Sequence, residues 1–215
     1  MKKILIISSV IIVTIFLFLF VYNYHTEQEH FFSTYSLSNE EINKLKNGDI
    51  ILRHGYGMAS DIIVKSLNEE YDISHCAIIV KDSNQINVIH SVSQSLSDFD
   101  GVQIQTLKRF ISDCKKNSII VVRYKSPTHT DNNAIAERAS YYLSKKIPFD
   151  NDFNIKDSSK IYCTELIWRC IKDAYKIDIF KNQLNDENLK NHYKFNALWD
   201  SNRFEIIINH HLRKL

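Results

Sequence analysis

Residues Ile4 to Tyr22 form an almost unbroken apolar run in which only Ser8, Ser9 and Thr14 are polar. A segment apolar on every side cannot be the single stripe of an amphipathic surface helix. Its nineteen residues would rise about 28 Å as a helix, close to the roughly 30 Å hydrocarbon core of a bilayer. This predicts a transmembrane signal anchor over residues 1–23. No small-x-small cleavage site follows the run, and the first cysteine is Cys76, too distant to carry a lipid at the anchor. Lys2 and Lys3 on the short side place the N-terminus in the cytoplasm and everything after the anchor outside it.

Residues 24–37 read as a polar and aromatic juxtamembrane linker, and 38–215 as one domain of ordinary size. The formal net charge is +2, and basic residues cluster no further than pairs such as Lys115-Lys116 and Lys145-Lys146, which argues against a nucleic-acid partner. Four cysteines (Cys76, Cys114, Cys163, Cys170) show no CxxC spacing, and no Cys/His group has zinc-site spacing, so no metal is expected. Cys163 and Cys170 would stand about 10 Å apart along one helix, too far for a disulfide. Whether Cys76 and Cys114 pair is left open by sequence.

Along the domain, Ser38 with Glu41 is a capping box for a helix ending near Asn47-Gly48. Strands are expected at 49–53, 75–80, 85–92, 102–107, 118–124 and 203–209. Helices are expected at 58–67, from Thr130 through Leu143, and from Cys163 through Ala174; Asn196 to Trp199 reads as a turn. Strands precede the two main helices, which predicts an α+β fold with an antiparallel sheet packed on a cysteine-bearing helix.

That cysteine is Cys163, placed where a polar loop ends and the apolar stripe Leu166, Ile167, Cys170, Ile171, Ala174 begins. Unpaired backbone N–H groups and the helix dipole favour thiolate over thiol there. A thiolate nucleophile needs a base and a group to orient the base. His75 lies on an otherwise apolar strand, and His90 on the next. If their hairpin loop, around Lys81-Asp82-Ser83-Asn84, has an even number of residues, the two imidazoles share a sheet face, opposite or diagonal to each other. Ser74, Asp49 and Tyr162 are polar candidates for substrate binding or an oxyanion site, with Tyr71 and Asp152 behind them. Glu165 should serve the helix N-terminus rather than the reaction.

Gly48-Asp49-Ile50-Ile51, Ser74-His75-Cys76-Ala77-Ile78, Val88-Ile89-His90 and Tyr162-Cys163-Thr164-Glu165-Leu166, in that order, resemble the permuted papain-like hydrolases of the YiiX/YebB branch of the NlpC-type superfamily. The resemblance covers roughly residues 38 to 178. It implies a circularly permuted papain-like fold in which the histidine strand precedes the cysteine helix. It also implies Cys163 as nucleophile, His75 as base and His90 at the third polar position, where relatives often carry an acid. The Gly-Asp, His and Val-Ile-His pieces are similar to the lecithin:retinol acyltransferase relatives too, but their Asn-Cys-Glu-His segment is missing. The function so implied is a cofactor-free cysteine amidase or peptidase of the bacterial cell envelope, acting on wall peptide or another amide. A thiol acyltransferase or lipase on membrane lipids, and a catalytically silent binding module, are the alternatives.

Overall fold

The computed structural model describes residues 2–82, 85–95, 97, 99–126, 132–180 and 194–211. Helix α1 (Lys2–Phe31) outruns the apolar segment that begins it. Residues 23–31 contain no Gly or Pro to stop it, so the segment expected as a linker is helical through Phe31. Within α1, Ile6–Phe31 is long and apolar enough to span a membrane; its most apolar window has a mean hydropathy of 2.4 and none of it is buried in the fold.

The domain continues as α2 (Asn39–Lys44), β1 (Ile50–Arg53), α3 (Met58–Leu67), β2 (His75–Lys81), β3 (Ile86–Val92), β4 (Gly101–Thr106), α4 (Leu107–Ser112), β5 (Ile120–Tyr124), α5 (Asn133–Ser144), α6 (Cys163–Tyr175), a 3-10 turn (Asn196–Trp199) and β6 (Phe204–Asn209). The capping box at α2 is present, with Ser38 N donating to Glu41 Oε2 at 2.8 Å and Glu41 N to Ser38 Oγ at 3.3 Å. The expected Thr130 cap, the tip of the 81–84 hairpin and the polar stretch 182–190 lie outside the described residues. α5 starts just after Asn132, whose side-chain amide donates to Tyr124 O at 2.9 Å.

The six strands form one sheet in the order β4-β3-β2-β1-β5-β6, antiparallel at every step. Both faces are covered, which is why β1, β2 and β5 are apolar continuously instead of alternating. On one face Ile50, Leu52, Cys76, Ile78, Ile89 and Ile120 pack with Ile135 and Ala139 of α5 and Leu166, Ile167, Cys170 and Ile171 of α6. On the other, Ile51, Ala77, Ile79, Val88 and Val121 pack with Leu107, Phe110 and Ile111 of α4, Leu45 and Cys114. Each fully buried Ile or Leu contributes about 1.5–3 kcal/mol. Cys76 and Cys114 therefore sit on opposite faces, and the disulfide between them that sequence left open is ruled out by the sheet itself.

Candidate active site

The chain reaches α6 through a loop fastened at several points. Gly101, at φ +81°, lets β4 approach so closely that a Cβ would meet Ile147 O at 2.1 Å. Val102 N then donates to Ile147 O at 2.9 Å, Ile161 N to Pro148 O at 3.0 Å, and Ser91 Oγ to Ile161 O at 2.6 Å. Tyr162 is the N-cap, in extended conformation, and Cys163 the first helical residue. Glu165 turns back to accept from Tyr162 N at 3.4 Å and pairs with Arg169, Oε1 to Nη2 at 2.6 Å. Its oxygens thus serve the helix start, as expected for that position.

Cys163 is half-buried and not in a disulfide. The Cys76 thiol and the backbone N–H groups of Thr164, Cys76 and Cys163 lie close enough to its sulfur to favour the charged form. Together they hold the Cys163 thiol below the ordinary cysteine value, against burial that pushes it up. Burial, and then the contact with Cys163, push Cys76 well above that value. Of the two thiols, Cys163 is the one disposed to ionise.

His75 and His90 meet as the parity of the hairpin requires. Lys81↔Ile86 closes a loop of even length, and Ile78↔Ile89 continues the register, so His90 falls opposite Ala77 and one diagonal step from His75. His75 Nε2 and His90 Nδ1 are 2.8 Å apart. Phe110 of α4 packs against both rings, at centroid distances of 5.9 and 5.8 Å, and carries the Arg53 guanidinium 4.1 Å above its face. Arg53 donates to Phe110 O. Burial, then His90, then Arg53 hold His75 well below the usual histidine range. Burial and Arg53 bring His90 down to about 3. Both imidazoles are therefore neutral near pH 7.

Two tautomers fit the His75–His90 contact. If His75 Nε2 donates, its Nδ1 carries the lone pair and can take a proton; if His90 Nδ1 donates, His75 Nδ1 already holds a hydrogen. The pair lies on the α4 side of the sheet and the Cys163–Cys76 contact on the α6 side. Among the described residues no hydrogen bond joins Cys163 to His75. The two groups are nonetheless neighbours through the chain: the sulfur lies beside Cys76, the residue after His75. The β2–β3 ladder ends at Ile78↔Ile89, and the Ser91–Ile161 bond brings the start of α6 to the strands beyond that point.

The lesser candidates have structural partners. Asp49 is fully buried and held by Arg123 (Nε–Oδ1 and Nη2–Oδ2, both 2.7 Å) and by Lys46 N at 2.7 Å. It stands at the end of β1 away from Arg53↔His75, about 13 Å along the strand. The expectation that Asp49 lines the site is corrected accordingly. Ser74 Oγ accepts from Gly55 N at 3.0 Å, and Ser74 N donates to Arg53 O at 3.0 Å, so Ser74 braces the start of the His75 strand. Tyr162 is buried, with Phe153 at 5.3 Å edge to face. Asp152 pairs with Lys160 at 3.4 Å on the surface, and Tyr71 packs edge to face on Trp199. Arg53, Phe110 and Cys76 were not singled out from sequence. For Cys76 a signal existed: strand alternation points it away from His75 and toward the cysteine helix.

The family model of the permuted papain-like amidase enzyme, YaeF/YiiX, C92 family, matches residues 44–204. No curated protein is similar enough to the chain to match it. A crystal structure described as that of the metalloprotein YiiX from Escherichia coli O157:H7 is similar in fold, with a TM-score of 0.58 at 21% identity, covering 77% of this chain and 98% of that one.

Proposed function

The chain belongs to the permuted papain-like amidase family of YaeF and YiiX, and from that premise we propose that it is a cysteine-dependent amidase or peptidase with Cys163 as nucleophile and His75 as base. The observation that carries the reading is the place of Cys163 as the first residue of α6, where helix-start N–H groups and the neighbouring Cys76 thiol favour its thiolate. The tautomer required is the one with His75 Nε2–H donating to His90 Nδ1. The contact between Cys163 sulfur and His75 forms with substrate bound, when catalytic contacts commonly tighten. His75 Nδ1 takes the thiol proton as sulfur attacks the amide carbonyl carbon. The backbone N–H of Cys163 holds the oxyanion. The C–N bond then breaks, the proton passes from His75 to the leaving amine, and water releases the acyl group from sulfur. His90, accepting from His75 Nε2, orients the base and stabilises it while it is charged.

The solved YiiX is described as a metalloprotein. Among the described residues here, no group of three or more His, Cys, Asp or Glu is placed to hold a metal ion. The facing nitrogens of His75 and His90 are spent on each other.

Helix α1 is read as the membrane anchor, with Lys2 and Lys3 cytoplasmic and the domain in the cell envelope, which favours wall peptide as substrate. A lipid substrate is the second reading: α1 lies against the domain through Tyr22–Asp61 and His30–Asp113, which would keep the site close to the bilayer. The test is to incubate full-length protein in detergent with amide-linked peptides, wall peptides among them, and with diacyl lipids, and to identify products by mass spectrometry. Release of amine, reduced at least about a hundredfold in Cys163→Ser and His75→Ala, is the expected result. Release of fatty acid instead would transfer the same machinery to lipids. Turnover that survives in Cys163→Ser would overturn the mechanism, and inertness toward every substrate would favour a binding module.

A further inference from the structure

Cys76 has no acyl chemistry to perform, yet its thiol touches the nucleophile. It is fully buried on the α6 side of β2, and Cys163 packs into the same apolar cluster. Two thiols packed side by side between β2 and the start of α6 can close to an S–S bond of about 2.05 Å through side-chain rotation. Neither remaining cysteine offers Cys163 this. Cys114 lies on the other face, its thiol donating to Ile111 O at 2.8 Å. Cys170 lies on α6 itself, about 10 Å of helical rise away.

We propose that Cys76 is the resolving thiol of a reversible oxidation at Cys163, with a hydroperoxide as oxidant. This rests on the reading of Cys163 as the reactive thiolate. In the first step the Cys163 thiolate attacks a peroxide oxygen: an S–O bond forms, the O–O bond breaks, and the hydroxide or alkoxide released takes a proton. Sulfur loses two electrons and the peroxide gains them, leaving Cys163 as sulfenic acid. In the second step Cys76 sulfur attacks Cys163 sulfur: the S–S bond forms, the S–O bond breaks, and hydroxide leaves as water with the Cys76 proton. The disulfide withdraws the nucleophile while oxidant is present and intercepts it before the irreversible sulfinic acid. Reduction by a thiol restores it.

The experiment exposes full-length protein in detergent to hydrogen peroxide, digests it without reduction and identifies cysteine peptides by mass spectrometry. In parallel, untreated protein is labelled with iodoacetamide at neutral pH. The expected product joins the Cys76 and Cys163 peptides, two hydrogens lighter than their sum and separated by dithiothreitol. In Cys76→Ser and Cys76→Ala the link is absent and Cys163 sulfinic acid accumulates at least about tenfold faster. Wild-type Cys163 accumulating as sulfinic acid with Cys76 unmodified, or linked to another cysteine, would overturn the proposal. If Cys163 labels quickly with iodoacetamide in that case, only the redox role fails. If it resists both reagents, the nucleophile reading fails with it.

Discussion

His75 and His90 share one hydrogen bond beneath Phe110 and beside Arg53, and that surrounding keeps both uncharged. An unfolded chain protonates each near pH 6.5, whereas folded His90 waits until about 3. Below pH 6.5 the unfolded state therefore binds protons that the folded state refuses. The stability these groups contribute is present above pH 6.5 and is lost as pH falls, by up to about 1.4 kcal/mol per pH unit for each. The melting temperature should drop between pH 7 and pH 5, and His90→Gln should flatten that drop; an unchanged slope in the variant would show that His90 is not held neutral. The meeting of the two histidines was legible in sequence because hairpin parity is a counting argument. Carried one residue further, the same parity sends Cys76 to the α6 side. Asp49 was misplaced for a different reason: which end of β1 faces the site depends on strand direction within the sheet, and no local motif encodes it.

At the scale of elements, the start of α6 is the feature on which the site depends. Glu165, buried with Arg169, ties the N-cap amide of Tyr162 to the helix, and Arg169 Nη2 reaches on to Asp157 O at 3.3 Å. Removing the carboxylate strands a largely buried guanidinium, a loss of about 3–5 kcal/mol. Glu165→Ala should therefore lower the denaturant midpoint and slow Cys163 alkylation; a variant with wild-type stability would mean the pair is solvated. The apolar stripe and the Glu165 cap were readable from spacing alone. The packing of α4 over the histidines was not, because Phe110 reaches Arg53, His75 and His90 from a segment distant in sequence. Continuous apolar strands signalled coverage on both faces without saying which helix covers which.

For the whole molecule, one apolar helix followed by one α+β domain was evident from hydropathy, whereas the way α1 meets the domain was not. Asp61 gathers Tyr22 of α1, His54 (Nε2–Oδ1 2.8 Å) and Lys115. Burial pushes its carboxyl up, but the bonds from Lys115, Tyr22 and His54 prevail and hold it down to about 2. His30 adds a contact to Asp113 at 3.2 Å and stacks on Tyr56 at 5.0 Å. Apart from His54, seven residues from Asp61, these partners lie well apart in sequence and no periodicity announces them. Asp61→Ala should release the C-terminal end of α1, so that a protease cuts residues 23–37 several times faster in vesicle-reconstituted protein. Equal cleavage in variant and wild type would show that α1 does not rest on this carboxylate.

Everything proposed for the site depends on Cys163 being an activated thiol. The most direct measurement is the rate of iodoacetamide modification of each cysteine in the full-length protein, from about pH 4 to 10, by mass spectrometry. Cys114, pushed up to about 12 by burial, and Cys170, also raised by burial, serve as internal references. Cys163 should react rapidly well below the free-thiol value of about 8.5 while both references stay unmodified. Modification of Cys163 that rises only near pH 8–9, or no faster than that of the references, would contradict it.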